Sequence, residues 1–212
     1  MPDFWESAFQ DKQAMWGLAP ASAAVDTAAF FREQGLERIL LPGFGYGRNA
    51  RPFVERGMTV TGIEISATAI RLAAEHFGKG MHVHHGSVAD MPFDRETYDG
   101  VFCYALLHLL DEPARHKLIA DCYRQLRPGG YLVFVTLSTE DAAYGTGERL
   151  GPHYFLAPHG VRLYFYDDEA IVADFADFDL IEAEAIVDPA VHREEQPPRH
   201  FWRVVCQKEE DR

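Results

Sequence analysis

Short apolar runs alternate with longer segments of helical periodicity along most of the chain after residue 37. A strand buried on both faces of a parallel sheet is a continuous run of apolar and β-branched residues. Five runs fit this description, at residues 38–41, 59–64, 81–85, 98–104 and 131–137. Strands that alternate with helices are typical of an α/β fold, so the pattern predicts a parallel sheet with crossover helices.

Three helices are predicted between these strands. The first helix spans residues 48–56 and ends at Gly57. The second has Ser66 as a suitable N-cap, and the third spans residues 112–126. The predicted apolar stripes are Ile70, Ala73, Ala74 and Phe77 in the second helix, and Leu118, Ile119, Cys122 and Leu126 in the third. Stripes of this kind cover a sheet, and they predict a three-layer core.

Residues 138–166 combine glycines and prolines with many aromatic side chains. Irregular segments of this length in a compact domain are usually functional or disordered, and the aromatic content favours an ordered lid or pocket wall. The candidate substrate contacts in this segment are Tyr144, His153, Tyr154, His159 and Arg162.

The rest of the chain completes a single predicted domain over residues 1–212. Residues 1–36 are predicted as a helical preface to the sheet, and residues 167–175 as a short helix. Two last strands are predicted at 178–187 and 201–207, joined by an exposed loop at 193–199 and therefore paired antiparallel.

Composition excludes several classes of protein. Apolar residues make up 47% and charged residues 25%, which is typical of a folded, soluble protein. The net charge of −13 disfavours nucleic acid and anionic membranes as partners. Cys103, Cys122 and Cys206 form no CxxC pair, which favours reduced thiols in the cytoplasm and no metal site. No leader or membrane-spanning segment is expected.

The candidate chemistry lies in the turn after the first strand, Gly43-Phe44-Gly45-Tyr46-Gly47. Alternating glycines let a backbone approach a ligand closely, and ligands of parallel sheets bind beyond the carboxyl ends of the strands. Glu64 ends the second strand, where a carboxylate can bind both hydroxyls of a ribose. Dinucleotide sites favour GxGxxG, and Arg48 stands where that pattern needs its last glycine, so NAD is the weaker alternative.

Four segments in this order resemble those of the class I S-adenosylmethionine-dependent methyltransferases, and most closely the small tellurite-resistance-like and thiopurine-methyltransferase-like members. They are residues 43–50, 60–66, 86–93 and 126–132. The resemblance implies a Rossmann-like sheet of seven mostly parallel strands with the last strand inserted antiparallel. It also implies S-adenosylmethionine as cofactor and S-adenosylhomocysteine as product.

The resemblance also implies which residues bind the cofactor. Glycine-turn residues would line its methionine half, Glu64 would bind the ribose, and the others would contact the adenine or close the site. The implied set is Trp16, Gly43, Phe44, Gly45, Gly47, Glu64, Ile65, Ser87, Val88 and Cys103. These families commonly begin the turn with an acidic residue and Gly-Cys-Gly, whereas Pro42 precedes Gly43 here, Phe44 takes the middle position, and Ser87 replaces a common aspartate. The departures leave a non-catalytic module that binds an adenosyl ligand as another alternative.

No catalytic side chain is required when the leaving group is a sulfonium, so the acceptor is expected to be positioned more than activated. His108 and Tyr144 are weak candidates for a catalytic role, and packing is the favoured role for His108. His82, His84 and His85 alternate across a strand and cannot converge on a metal. The predicted function is methylation of a small, partly apolar acceptor by a monomer or homodimer.

Overall fold

The computed structural model describes residues 2–78, 81–189 and 198–210. The α-helices in this part of the chain are α1 (Pro2–Lys12), α2 (Ser22–Glu33), α3 (Arg51–Glu55), α4 (Ala67–Phe77), α5 (Glu112–Arg124) and α6 (Asp168–Phe175). The strands are β1 (Arg38–Pro42), β2 (Thr59–Glu64), β3 (His82–His85), β4 (Tyr98–Tyr104), β5 (Leu126–Leu137), β6 (Glu148–Gly151), β7 (Tyr154–Leu156), β8 (Arg162–Tyr164), β9 (Leu180–Asp188) and β10 (Arg199–Gln207).

Seven of these strands form one sheet in the order β3-β2-β1-β4-β5-β10-β9. The first five run parallel to one another, and β10 lies between β5 and β9 and pairs antiparallel with both. This arrangement confirms the predicted fold class. The order reverses direction beside β1, so the turn after β1 lies at the switch point where ligands of such sheets bind.

Helices cover both faces of the sheet, which confirms the three layers. On one face the core joins Phe31 of α2 and Phe53 of α3 to Phe102 of β4. On the other face Leu118 of α5 and Phe175 of α6 pack against the central strands. The stripe predicted for α5 is buried at Leu118, Ile119 and Cys122, as expected for a helix that covers a parallel sheet.

Several boundaries differ from the prediction. Helix α3 begins at Arg51 and not at residue 48, since Pro52 occupies its first turn and the preceding residues form turns. Strand β5 begins at Leu126, five residues before its predicted start. The Pro-Gly-Gly sequence lies within the strand because the pairing of β5 with β4 is irregular there. The loop predicted at 193–199 lies outside the described residues except for its last two, and Arg199 already belongs to β10.

The predicted stripe of α4 is wrong. Its buried residues are Thr68, Ala69, Leu72 and Ala73, so only Ala73 was expected. Ala69 and Leu72 belong to a small cluster with Phe9 of α1 and Tyr46. Helix α1 covers this side of α4. The buried face of α4 therefore differs from the face predicted for a helix that packs only against the sheet.

Residues 138–166 are not an irregular loop. Strands β6, β7 and β8 form a separate antiparallel sheet, in which Glu148 pairs with Leu156 and Tyr154 with Tyr164. Phe155 and Leu163 are buried in the same apolar cluster as the end of β5. The segment is therefore an ordered wall beside the main sheet.

None of the helices in the described ranges has the length and apolar character needed to cross a membrane. The three cysteines are free thiols and are all buried.

Candidate active site

A cavity of about 840 Å³ lies at the carboxyl ends of the parallel strands. The segments that follow β1, β2, β3 and β4 form its floor, and helix α1 and strand β8 contribute walls. This volume is in the range of small-molecule and cofactor sites. Eight of the ten predicted cofactor-binding residues line it: Trp16, Gly43, Phe44, Gly45, Glu64, Ile65, Ser87 and Val88.

The glycine turn has the backbone that its sequence predicts. Gly43 and Gly45 have φ of +71° and +58°, a region that costs other residues free energy. A Cβ on Gly43 would also lie 3.0 Å from the Leu106 side chain. The N–H groups of Gly43 and Phe44 both donate to the carbonyl oxygen of Ile63, which ties the turn to the end of β2.

The Phe44 ring explains the first departure from the family pattern. It lies under the turn against Gly62 and Gly47, and Phe44 is buried although it borders the cavity. A Cβ built on Gly62 would come 2.4 Å from the ring. Gly47 contacts this ring and does not line the cavity, which places it behind the predicted cofactor site.

Glu64 is fixed by two backbone donors at the cavity floor. One carboxylate oxygen accepts a hydrogen bond from the Gly45 N–H at 2.7 Å and the other accepts from the Ser66 N–H at 2.9 Å. Burial raises the pKa of Glu64, and these hydrogen bonds oppose that shift. A carboxylate has about four lone-pair positions, so the group can still accept hydrogen bonds from two ligand hydroxyls.

Ser87 and Val88, which the resemblance implies as cofactor contacts, line the cavity together with Ile65. The Ser87 hydroxyl oxygen accepts a hydrogen bond from the Ala89 N–H and caps the short helix Val88–Asp90, which leaves its O–H free to donate. Among the described residues the Val88 N–H has no hydrogen-bond acceptor. The backbone of Val88 is thus available to a ligand, as the resemblance implies.

The N-terminal segment contributes a wall that the sequence did not predict in detail. Trp16 lies parallel to Tyr46 with ring centroids 6.2 Å apart, and the Tyr46 hydroxyl donates to the Gly17 carbonyl oxygen. Side chains of α1, including Trp5 and Phe9, line the cavity above the glycine turn. Helix α1 therefore covers the candidate cofactor site.

Glu6 holds α1 in this position. Its carboxylate accepts hydrogen bonds from the hydroxyls of Ser66 and Thr68 and from the Thr68 N–H, at the start of α4. The hydroxyl hydrogen bonds of Ser66 and Thr68 lower the pKa of Glu6 from 4.5 to about 2. The ionised group therefore stabilises α1 docking above pH 4.5, and this stabilisation is lost as the pH falls towards 2.

We expect Glu6→Ala to weaken α1 docking and to speed amide hydrogen exchange in residues 2–12, because three hydrogen bonds to the start of α4 are lost. Asp11→Ala removes an exposed carboxylate from the same helix and serves as the control. Equal exchange in the two variants would show that Glu6 does not hold the helix.

Two predicted residues lie away from the cavity. Cys103 is fully buried in the core on the α5 side of the sheet, where desolvation strongly raises its pKa. Tyr144 is partly exposed, and its hydroxyl hydrogen-bonds to Nδ1 of His153 at 2.9 Å. Neither side chain lines the cavity, so the structure does not place Cys103 in the cofactor site or Tyr144 near the chemistry.

His108 lies at the inner end of the cavity with a defined tautomer. Its Nδ1 accepts a hydrogen bond from the Leu137 N–H at 3.2 Å, so the proton of the neutral ring is on Nε2. Burial lowers the pKa of His108 to about 3. The side chain is a neutral hydrogen-bond donor at physiological pH, and this geometry does not favour a general base.

We expect the His108 ring to stay neutral, with its proton on Nε2, from pH 8 down to pH 5, since its pKa is about 3. Nitrogen-15 NMR of the imidazole measures both properties. A titration near pH 6.5 or an Nδ1–H tautomer would contradict this assignment.

Two of the histidines of β3 interact with other groups of the protein. His84 interacts with Asp94 at 2.9 Å, and His85 with the Ile65 carbonyl oxygen at 3.2 Å. Within the described ranges, no group of three potential metal ligands was found.

The half of the cavity beyond His108 is mainly apolar. Its residues come from the ends of β4 and β5, from β8 and from the start of β10. They include Tyr104, Leu137, Val161, Leu163 and Phe201, together with the predicted contacts Tyr154, His159 and Arg162. The sequence analysis missed Arg199 and Phe201, because strand pairing of β10 with β5, and no local motif, brings them here.

Residues 40–134 match the family model described as a methyltransferase domain. The match covers the strands and turns that form the cavity floor.

Two curated relatives are similar over different lengths. A tRNA N(3)-methylcytidine methyltransferase, Mettl2 of Drosophila melanogaster, is 25% identical over 88% of this chain and 64% of its own length. A ubiquinone biosynthesis O-methyltransferase of Pseudomonas entomophila is 30% identical over 51% of this chain. This chain covers only 47% of the length of the second relative.

Solved structures share the fold. The 1,6-didemethyltoxoflavin-N1-methyltransferase of Burkholderia thailandensis, described with S-adenosylhomocysteine bound, has a TM-score of 0.72 at 17% identity and covers 99% of this chain and 87% of its own. TehB of Haemophilus influenzae has a TM-score of 0.65 at 16% identity, covering 97% and 67%. At the level of the fold, these likenesses confirm the predicted resemblance to the small tellurite-resistance-like methyltransferases.

Proposed function

We propose that this chain is an S-adenosylmethionine-dependent methyltransferase that acts on a small molecule. The observation that carries the proposal is the cavity, which joins the glycine turn and Glu64 of the methyltransferase domain to an apolar region beside β8 and β10. One continuous site can thus hold a nucleoside cofactor and an acceptor together.

The residues at the cavity floor fit the cofactor. Glu64 would bind the ribose hydroxyls, Ile65 and the Val88 N–H would contact the adenine, and the backbone of Gly43 and Gly45 would border the methionine half. The Arg48 guanidinium also lines the cavity and donates to the Ala19 carbonyl oxygen, and we assign it to the carboxylate of the methionine half. These groups lie on the ends of β1, β2 and β3, which fixes their spacing.

S-Adenosylmethionine supplies a methyl group on a positively charged sulfur, which a nucleophilic atom of the acceptor displaces to give the methylated product and S-adenosylhomocysteine. The residues of this chain orient the acceptor and exclude water, which is how positioning lowers a barrier. His108 contributes a hydrogen-bond donor at Nε2 and does not accept the proton of the acceptor.

A small molecule is the acceptor that best fits the charge of the chain. The net charge of −13 opposes binding of a phosphate backbone, although Mettl2 is named for its action on tRNA. The toxoflavin and ubiquinone methyltransferases are named for small substrates. We propose that the protein is a single domain, works as a monomer or homodimer, and resides in the cytoplasm, where its three buried thiols stay reduced.

The test is formation of S-adenosylhomocysteine from S-adenosylmethionine in the presence of a panel of small acceptors and of unmodified tRNA, with the methylated product identified by mass spectrometry. We expect turnover with small acceptors only. Turnover confined to tRNA would refute the proposed acceptor class. Tight binding of S-adenosylhomocysteine without turnover on any acceptor would favour a non-catalytic binding module.

A further inference from the structure

The ionisable groups around the cavity have an unequal distribution of partners. Each acidic side chain of its described lining already accepts hydrogen bonds from backbone N–H groups: Glu64 from Gly45 and Ser66, Asp111 from Ala114, and Asp188 from Ser22 and Ala23. These bonds stabilise the negative charges within the protein. The acidic lining groups are therefore held in place by backbone donors of the protein.

Most basic side chains of the lining have no carboxylate partner among the described residues. Lys12, Arg48, Arg162 and Arg199 line the cavity, and among the described residues only Arg199 has a carboxylate within ion-pair distance. Four basic side chains thus line the cavity against three acidic ones, and an excess of one sign of charge attracts ligands of the opposite sign. In a chain with a net charge of −13, this local excess of cations favours an anionic ligand.

Arg199 is held in one orientation by a buried carboxylate. Its Nε and Nη2 donate to Asp141 at 2.8 and 2.9 Å, and the His200 N–H and Ala143 N–H donate to the same carboxylate. The Asp141 side chain is 1% exposed and the Arg199 side chain 41% exposed. A guanidinium has five N–H donors, so three donors of Arg199 are not used by Asp141.

Arg199 lines the cavity together with aromatic side chains. Arg199 and Phe201 project from the same face of β10, because alternate residues of a strand share a face. The Phe201 ring lies 6.4 Å from the His108 ring and 5.7 Å from the Tyr104 ring. The positive charge of Arg199 also adds to the lowering of the His108 pKa by burial, as expected for neighbours.

We infer that the methyl acceptor is a small apolar carboxylic acid, whose carboxylate binds the Arg199 guanidinium while its apolar body packs between Tyr104 and Phe201. The inference rests on the proposed function and specifies its substrate class. The His108 Nε2–H is a second donor to an oxygen of the same acceptor.

A monoanion fits this site better than a phosphate ester. Charge-assisted hydrogen bonds from a planar guanidinium match the two oxygens of a carboxylate. Asp141 already takes two of the Arg199 donors and offsets the charge of the guanidinium, so the pair offers less than a dianion needs. The surrounding side chains are apolar or aromatic and favour a hydrocarbon or aromatic body.

The test measures binding of acid and amide pairs to the protein saturated with S-adenosylhomocysteine. The probes are benzoate, phenylacetate, 1-naphthoate, indole-3-acetate and hexanoate, each with its primary amide, and phenyl phosphate as the competing anion. Isothermal titration calorimetry gives each dissociation constant. We expect at least one acid to bind about 10- to 100-fold more tightly than its amide, as hydrogen bonds to a charged group provide.

The variant Arg199→Gln should reduce this preference to less than about threefold, because the charge-assisted hydrogen bonds are lost. Arg203→Gln is the matched control: it removes one positive charge from the same strand, where Arg203 pairs with Glu182 outside the cavity lining. The double variant Asp141→Asn/Arg199→Gln also loses the preference and leaves no unpaired buried charge, which covers the case in which the single variant is unfolded.

Each outcome decides a separate claim. Failure of the protein to bind S-adenosylhomocysteine would refute the proposed function before any acid is tested. Binding of S-adenosylhomocysteine with acids no tighter than amides would overturn only the substrate class. Tighter binding of phenyl phosphate than of every carboxylate, or an acid preference that survives Arg199→Gln, would overturn it as well.

Discussion

Glu64→Ala should lower the affinity for S-adenosylhomocysteine by about 100-fold, since the ribose loses a charged acceptor and hydrogen bonds to a charged group contribute about 1.5–3 kcal/mol. The variant also leaves the Gly45 and Ser66 N–H groups without their acceptor, which loosens the turn that borders the cofactor. Titration calorimetry of the purified variant measures the loss.

Because burial raises the pKa of Glu64, acidification should weaken ligand binding at a higher pH than for an ordinary glutamate.

Glu75→Ala is the control for this experiment. Glu75 is an exposed carboxylate on α4 that pairs with Arg71 one turn away, and such surface pairs contribute little to stability. Its affinity for S-adenosylhomocysteine should equal that of the unchanged protein. A Glu64→Ala variant that binds as tightly as Glu75→Ala would remove Glu64 from the cofactor site.

Gly62→Ala should destabilise the protein by about 1–3 kcal/mol, the usual cost of overpacking a buried site. The new methyl group would lie 2.4 Å from Phe44 Cδ2 and 3.0 Å from its Cβ, so the ring and the adjoining turn must both move. Affinity for S-adenosylhomocysteine should fall with stability, because the same turn borders the ligand. Urea unfolding with an unchanged slope measures the stability difference.

A double-mutant cycle isolates the cause. In a Phe44→Ala background the ring contacts are removed and only the 3.0 Å contact with the Cβ of residue 44 remains, so Gly62→Ala should destabilise the protein clearly less than it does with Phe44 in place. Gly151→Ala is a control in β6, where the nearest atom to an added Cβ is 4.0 Å away. Equal destabilisation by Gly62→Ala in both Phe44 backgrounds would show that the ring is not responsible.

The main sheet could be predicted from the sequence because its strands are buried on both faces. Continuous apolar runs such as those in β1 and β4 depend little on their neighbours. The buried face of α4 could not be predicted, since it depends on α1, which docks through Glu6 and Phe9 from sixty residues away. The small sheet of β6–β8 was also missed, because its short strands lie among glycines and prolines typical of loops.

The candidate cofactor site was predicted better than the acceptor site for a similar reason. The glycine turn and Glu64 are local signals at strand ends, and the sheet topology brings them together. Alternation along β4 turns the Cys103 side chain into the core while Tyr104 lines the cavity. Arg199 has no local signal, and the pairing of β10 with β5 and β9 brings it to the cavity.

The central claim is that the cavity binds an adenosyl cofactor for methyl transfer. Calorimetric titration of the protein with S-adenosylmethionine, S-adenosylhomocysteine and NADH tests it most directly. We predict saturable micromolar binding of both adenosyl ligands and no heat of binding with NADH. Binding of NADH, with no response to either adenosyl ligand, would contradict the assignment and favour an oxidoreductase.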